Sequence, residues 1–284
     1  MHFLSITDLD EHQILDILNL ADEIKAGKNN RDLAGKTVIS FFPESGIRTR
    51  IAFEKAIHSL GGFTILFDPG TLDKREAMQD VVGYLETLAD MLIIRHMDMG
   101  KLDDMAKHAS IPIINAMTSL NHPCEILSDI YGLRTMRAGF QKLVYTFVGE
   151  QGNICRSWLN AAHVLDLRLN HVCCEGNRLQ PDDKNYTFHT RLDEVLSISD
   201  VILTDSLSGQ NQHQDYYQRY QITRQKMECC PKGAILNPCP PFYRGQEVSD
   251  DVIESPYFVG YRFKENLFYV HQAIMLYCLR TLST

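Results

Sequence analysis

The sequence predicts an α/β fold built as two successive units, and three observations carry that expectation. Short apolar runs at 37–40, 64–67, 91–94 and 111–115 alternate with stretches of helical periodicity. Polar and charged residues cluster where those runs end, which is where parallel α/β sheets bind ligands. The pattern pauses at 136–142 (Met-Arg-Ala-Gly-Phe-Gln-Lys) and restarts with a second apolar run at 143–148.

Taken in order, residues 8–25 read as a helix. Asp10 and Gln13 resemble a capping box, and Ile14, Ile17, Leu18, Ala21 and Ile24 form one stripe. Lys25-Ala26-Gly27-Lys28-Asn29-Asn30 ends it. A strand over 37–42 enters the loop Pro43-Glu44-Ser45-Gly46, and a helix with apolar positions Ile51, Phe53, Ala56, Ile57 and Leu60 follows, closed by Gly61-Gly62. Helices are expected over 76–88, 101–109 and 125–136. In the second unit the periodicity predicts a strand at 143–148, a Gly149–Asn153 turn and a helix over 154–165. It then predicts a strand at 171–174, a helix at 195–199, a strand at 201–205, a polar mobile loop at 206–215 and a strand at 234–236. An amphipathic helix at 264–281 ends the chain.

A length of 284 residues suits two domains, and 44% hydrophobic residues suffice for real cores. The net charge of −8 argues against nucleic acid as a partner. No signal peptide and no run near the ~20 apolar residues of a membrane span is visible, so no membrane partner and a cytoplasmic location are expected. The eight cysteines then read as reduced thiols. Cys173-Cys174 and Cys229-Cys230 are adjacent rather than spaced, a weak basis for a metal site.

Arg48, Thr49 and Arg50 fall at a helix start, where backbone N–H groups lack helical partners and the dipole is positive. Cations are unfavourable there unless an anion binds, so the loop reads as a phosphate site. The alternative is a pair of arginines bound to surface carboxylates. Gly149-x-x-Gly152 after a strand, with Glu175 after the next, also admits a nucleotide-binding dehydrogenase, although the full glycine fingerprint is missing.

Several separated motifs together resemble the aspartate/ornithine carbamoyltransferase family. They are Arg48-Thr49-Arg50-x-x-Phe53-Glu54 with Leu60-Gly61-Gly62, Arg95 after its strand, and His122-Pro123-x-Glu125 with Asp129. In the second unit they are Gly149-Glu150-x-x-Asn153 with Ser157, Thr204-Asp205 with Ser208-Gly209, and Asn237-Pro238-Cys239-Pro240. The resemblance covers nearly the whole chain in collinear order. It implies two doubly wound parallel-sheet domains with the active site in the cleft between them, and a last helix packed back on the first domain. Residues 1–137 with 264–284 would bind carbamoyl phosphate, and 138–263 the second substrate. It also implies a homotrimer or a multiple of one with shared sites, and neither a metal nor an organic cofactor.

The implied reaction is attack of an amine, ornithine-like by the motifs of the second unit, on carbamoyl phosphate. For carbamoyl phosphate the candidates are Ser45, Gly46, Ile47, Arg48, Thr49, Arg95, His122 and Glu125, with Lys74 or Arg75 reaching a neighbour's site. Thr49, Arg95 and His122 are the catalytic candidates at the carbonyl oxygen. Asn153, Asp205, Ser208, Pro238 and Cys239 would hold the second substrate. Each has a plainer reading: His122 as a helix-cap neighbour, Arg95 as a strand-end ion pair, and Asn153 and Asp205 as turn residues. Likewise Cys239 reads as an inert buried thiol, and Lys74-Arg75 as a solvated charge run.

Five residues depart from the family pattern. Gly46-Ile47 replaces Ser-Thr, with Ser45 one residue upstream as a substitute, and Glu125 replaces Gln. An ionised Glu125 at ~5 Å from the substrate would be repelled by ~3 kcal/mol per unit charge at a dielectric of ~20. That repulsion calls for Arg95 with a protonated His122, a protonated Glu125, or another donor. Asn237 replaces His, and Leu267 stands where the ornithine branch carries Arg. These departures motivate the alternative of a catalytically weak paralogue that binds a ligand or partner.

Overall fold

The computed structural model describes residues 1–28 and 31–281. Asn29 and Asn30, at the expected end of the first helix, and residues 282–284 lie outside the described residues. The chain divides into two compact units, Met1–Leu133 together with the segment from Lys264 onward, and Arg134–Phe263.

The first unit contains α1 (Glu11–Lys25), β1 (Thr37–Phe41), α2 (Ile47–Ser59), β2 (Phe63–Phe67), α3 (Met78–Leu85), β3 (Met91–Arg95), α4 (Met99–His108), β4 (Ile113–Met117) and α5 (Pro123–Met136), whose last turn passes into the second unit. Its four-stranded sheet is parallel, in the order β2-β1-β3-β4. β3 is apolar and buried from Met91 to Ile94, as expected of a strand covered on both faces. The second unit holds β5 (Val144–Val148), α6 (Asn153–Val164), β6 (Arg168–Val172), β7 (Tyr186–His189), β8 (Val201–Thr204), α7 (Gln214–Tyr220), α8 (Arg224–Met227), β9 (Ile235–Pro238) and α9 (Asp250–Ile253). Its five-stranded sheet is also parallel, in the order β7-β6-β5-β8-β9. Helix α10 (Asn266–Arg280) returns to the first unit. There its buried Val270, Ile274 and Met275 belong to a helix that packs on α1 and α2, and the Met1 ammonium donates to the Cys278 carbonyl at 2.9 Å.

The two parallel-sheet units answer the expected fold class, and the capping box of α1 forms as read, between Asp10 and Gln13. Several boundaries need correction. The first helix starts at Glu11, because Asp10 caps it and Ile6–Asp8 is a separate 3-10 turn. The fourth strand begins at Ile113 rather than 111, after Pro112, which has no N–H to give a ladder. The strand expected at 171–174 is Arg168–Val172, so both cysteines lie beyond its end. The 195–199 helix is instead a 3-10 turn, Leu196–Ile198. Strand β7 falls in the stretch between 174 and 195, where the sequence predicts no element. It is a four-residue edge strand with alternating burial, too short to stand out by period. Helix α7 takes the end of the expected polar loop, while Ser208 to Gln212 stays outside helix and strand.

Candidate active site

In each sheet the chain changes winding direction beside its first strand. In the first unit, β2 and β3 lie on opposite sides of β1, so the loops after β1 and β3 diverge at the carboxyl ends of their strands. In the second, β6 and β8 flank β5 in the same way. Such switch points leave a crevice for ligands. The sequence candidates gather there: Ser45–Arg50 after β1, Arg95 at the end of β3, Asn153 after β5, and Asp205 after β8.

Helix α2 begins directly after Gly46. It has no side-chain cap and no acidic residue in its first turn, and Arg50 N–H to the Gly46 carbonyl, at 3.2 Å, is its first closing bond. The N–H groups of Ile47, Arg48 and Thr49 therefore precede the helical ladder and form an anion-ready end. Thr49 is buried, Arg48 and Ser45 are exposed, and Arg50 is occupied by Glu54 at 2.7 Å. Arg95 lies against this loop, since a Cβ built on Gly46 would stand 3.4 Å from Arg95 Cδ and 3.5 Å from its Cζ. Pro43, Ser45, Gly70, Asp73, Arg95 and Met117 help line a cavity of about 400 Å³ at this sheet edge. Asp73 is the acidic member, and Lys101 at 2.5 Å and His96 at 3.1 Å hold it ionised. Lys74 and Arg75 are exposed and do not line this cavity.

His122 and Glu125 open the other side of this site. Asn121 accepts from Asn115 and Thr118 at 2.6 and 2.8 Å and donates to the Leu4 carbonyl at 3.0 Å, fixing the turn that presents His122. Helix α5 is buried from Pro123 to Leu133, so Glu125 and Asp129 are charges without water. Lys264, in the 3-10 turn before α10, meets both, at 2.8 Å from Glu125 Oε1 and 2.6 Å from Asp129 Oδ1. Burial pushes the Glu125 pKa up, but the Lys264 ammonium together with His122 and His271 pulls the carboxyl down to about 2. Burial pushes the His122 imidazole down to about 4; Glu125 opposes this, while Arg95 and Lys264 reinforce it. Of the solutions to a charged Glu125, the structure supplies another donor, the Lys264 ammonium.

Sequence reasoning missed Lys264 because it is 139 residues from Glu125 and looked like the first turn of a surface helix. The available signal was the carboxylate pair Glu125 and Asp129, spaced four apart on one face of a helix with no polar side. His271 was also missed. It is fully buried, stacks on Phe53 with centroids 3.8 Å apart, and is pushed down to about 3 by burial.

In the second unit, Asn153 is the first residue of α6, and a Cβ on its N-cap Gly152 would lie 3.8 Å from Asp205 Oδ2. Asp205 and Asn153 therefore share one helix start. Ser208 is committed elsewhere: its N–H and hydroxyl both donate to Glu150, at 2.5 and 2.7 Å. Pro238 pairs with Thr204 across the β8–β9 ladder, and the Cys239 N–H donates to the Thr204 carbonyl at 2.9 Å. The Cys239 thiol is buried. Glu247 is a further buried carboxyl on this unit. Burial raises it to about 7, and Asp205 adds to the rise. Among the described residues no cluster of three or more His, Cys, Asp or Glu could hold a metal ion.

Residues 1–135 match the family model for the carbamoyl-P binding domain of aspartate/ornithine carbamoyltransferase, and 141–278 match that for its Asp/Orn binding domain. The chain belongs to the aspartate/ornithine carbamoyltransferase family. An ornithine carbamoyltransferase of Desulfotalea psychrophila is 31% identical, with 96% of this chain and 97% of that protein aligned. The crystal structure of ornithine carbamoyltransferase from Gloeobacter violaceus is similar at a TM-score of 0.86 and 27% identity, covering 98% of each chain. That of Burkholderia thailandensis shares the fold at a TM-score of 0.89 and 24% identity, again over 98% of each chain. Membership of the carbamoyltransferase family makes this chain a transferase and removes the dehydrogenase reading of Gly149-x-x-Gly152. No described helix is long and apolar enough to cross a membrane.

Proposed function

We propose that this carbamoyltransferase moves the carbamoyl group of carbamoyl phosphate to the amino group of an ornithine-like amino acid. The amine nitrogen bonds to the carbonyl carbon, the carbon–oxygen bond to phosphate breaks, the amine gives up a proton, and a ureido product and phosphate leave. The observation that carries this reading is the approach of Arg95 to the uncapped start of α2, with the His122–Glu125 turn electrostatically coupled to it. An anion-ready helix end beside a guanidinium suits a phosphate with a developing oxyanion next to it. Arg48 and the N–H groups from Ile47 to Thr49 hold the phosphate. Arg95, Thr49 and neutral His122 stabilise the carbonyl oxygen.

Residues 1–137 with 264–284 bind carbamoyl phosphate in this reading, and 138–263 bind the amino acid, with Asn153 and Asp205 at its charged end and the backbone at Pro238–Cys239 near the incoming amine. The protein works in the cytoplasm as a homotrimer or a multiple of one, and Lys74 or Arg75 serves a neighbouring copy. Exposed Phe63, Ile65 and Phe67 on edge strand β2 are apolar surface consistent with such an assembly. Lys264 weakens one of the reasons for a catalytically weak paralogue, because Glu125 brings its own counter-ion; the lost hydroxyls at Gly46-Ile47 remain. Incubation with carbamoyl phosphate and a panel of amino acids, scored by phosphate release and product mass, tests the reading. Phosphate release without a ureido product from any amine defeats it.

A further inference from the structure

Two buried carboxylates on a helix without a polar side need a counter-ion, and one ammonium is shared between them. Lys264 stands 2.8 Å from Glu125 and 2.6 Å from Asp129, and its side chain is 17% exposed. The triad lies next to the groups proposed to act on the carbonyl. His122 stands just ahead of α5, three residues before Glu125, and it is within electrostatic reach of Arg95 on β3, Lys264 in the turn before α10 and His271 on α10.

We infer that Lys264 is a positioning residue of the transfer site: clamped between Glu125 and Asp129, it holds the start of α5 in place and leaves the His122 imidazole an uncharged hydrogen-bonding group beside Arg95. The inference rests on the carbamoyl-transfer reading. Its physical content is a competition. An anionic Glu125 without Lys264 would draw a proton onto His122 and pair with it. His122 would then be a cation bound to Glu125 instead of a neutral group facing the carbonyl oxygen. With Lys264 present, the carboxylate already has its partner, and the positive charges of Arg95 and Lys264 both oppose protonation of His122. A neutral imidazole can still donate one hydrogen bond, and it does not add a second full charge next to Arg95.

The test compares wild type, Lys264→Met, Lys264→Arg and the triple variant Glu125→Gln/Asp129→Asn/Lys264→Met, which removes the triad as a unit. Two readouts are used: the NMR titration of His122, which needs no substrate, and the pH profile of kcat/KM for carbamoyl phosphate. In Lys264→Met the His122 titration and the acid limb should both move up by about one pH unit or more. Lys264→Arg and the triple variant should keep both near their wild-type positions. An unmoved His122 in folded Lys264→Met overturns the inference. If Lys264→Met does not fold, the triple variant decides: His122 titrating as in wild type supports the inference, and a rise overturns it. A wild type without activity toward any amine would defeat the carbamoyl-transfer reading, while the NMR titration would still judge Lys264.

Discussion

Arg95 stands where a side chain on Gly46 would project. A side chain at Gly46 would press on the Pro43 carbonyl at 3.3 Å and touch Arg95 Cδ at 3.4 Å. The missing hydroxyl of the phosphate loop is therefore linked to the resting place of the arginine proposed to hold the carbonyl oxygen. Gly46→Ser should displace Arg95 and raise the KM for carbamoyl phosphate several-fold, rather than restore a lost contact. Ile47→Thr, at a position 53% exposed, should change stability by less than about 0.5 kcal/mol. Steady-state kinetics and urea denaturation of the two variants check this. A gain in kcat/KM on Gly46→Ser would contradict it.

Arg95→Met should lower kcat by about 10²–10³, the usual cost of losing a donor to a developing oxyanion. Arg95→Lys should recover only part of it, because a point charge does not replace a planar fork. Single-turnover phosphate release measures both, and equal kcat in all three proteins would remove Arg95 from the chemistry.

Acid should weaken the fold early. His122 and His171 are buried and pushed down to about 4, and His271 to about 3, from the ordinary 6.5. Below 6.5 the unfolded chain takes up protons on these rings that the folded chain refuses until about 4, so stability drops as pH falls through that window. Three such groups give a slope of about 4 kcal/mol per pH unit at most. Glu125 acts later. Its contribution is complete above its ordinary 4.5 and is lost as pH falls toward its folded value of about 2. Urea midpoints measured from pH 7 to 4.5 should fall steadily, and His271→Leu should reduce the slope by about a third. A flat profile would mean that these rings are not buried and neutral.

Glu150 ties down Ser208 through two hydrogen bonds. Glu150→Ala should release this loop and raise the KM for the amino acid several-fold, while the KM for carbamoyl phosphate stays within about twofold. Initial-rate kinetics with both substrates varied separate the two effects. A shift confined to carbamoyl phosphate would contradict the assignment of this loop.

The alternation of apolar runs and helical stripes was legible because β1, β3, β4 and β5 are short buried runs between polar loops, and the exposed edge strand β2 is apolar as well. The second unit was read less well after Val172. Strand β7 has only four residues, and α7 begins inside a stretch rich in Gln, Asn and Asp that reads as loop. The site residues near strand ends were visible as motifs. Their partners were not, because a pair such as Lys264 with Glu125 is formed only when α10 returns to the first unit. The charge on Glu125 thus looked like a defect in the sequence and is half of an ion pair in the fold.

The central claim is tested most directly by mass analysis of the product formed from carbamoyl phosphate and ornithine-like amino acids, run beside Arg95→Met. Wild type should give a ureido amino acid in step with phosphate release, and Arg95→Met should give it at least about a hundredfold more slowly. Phosphate release without a ureido product, or equal rates in the two proteins, would contradict the account.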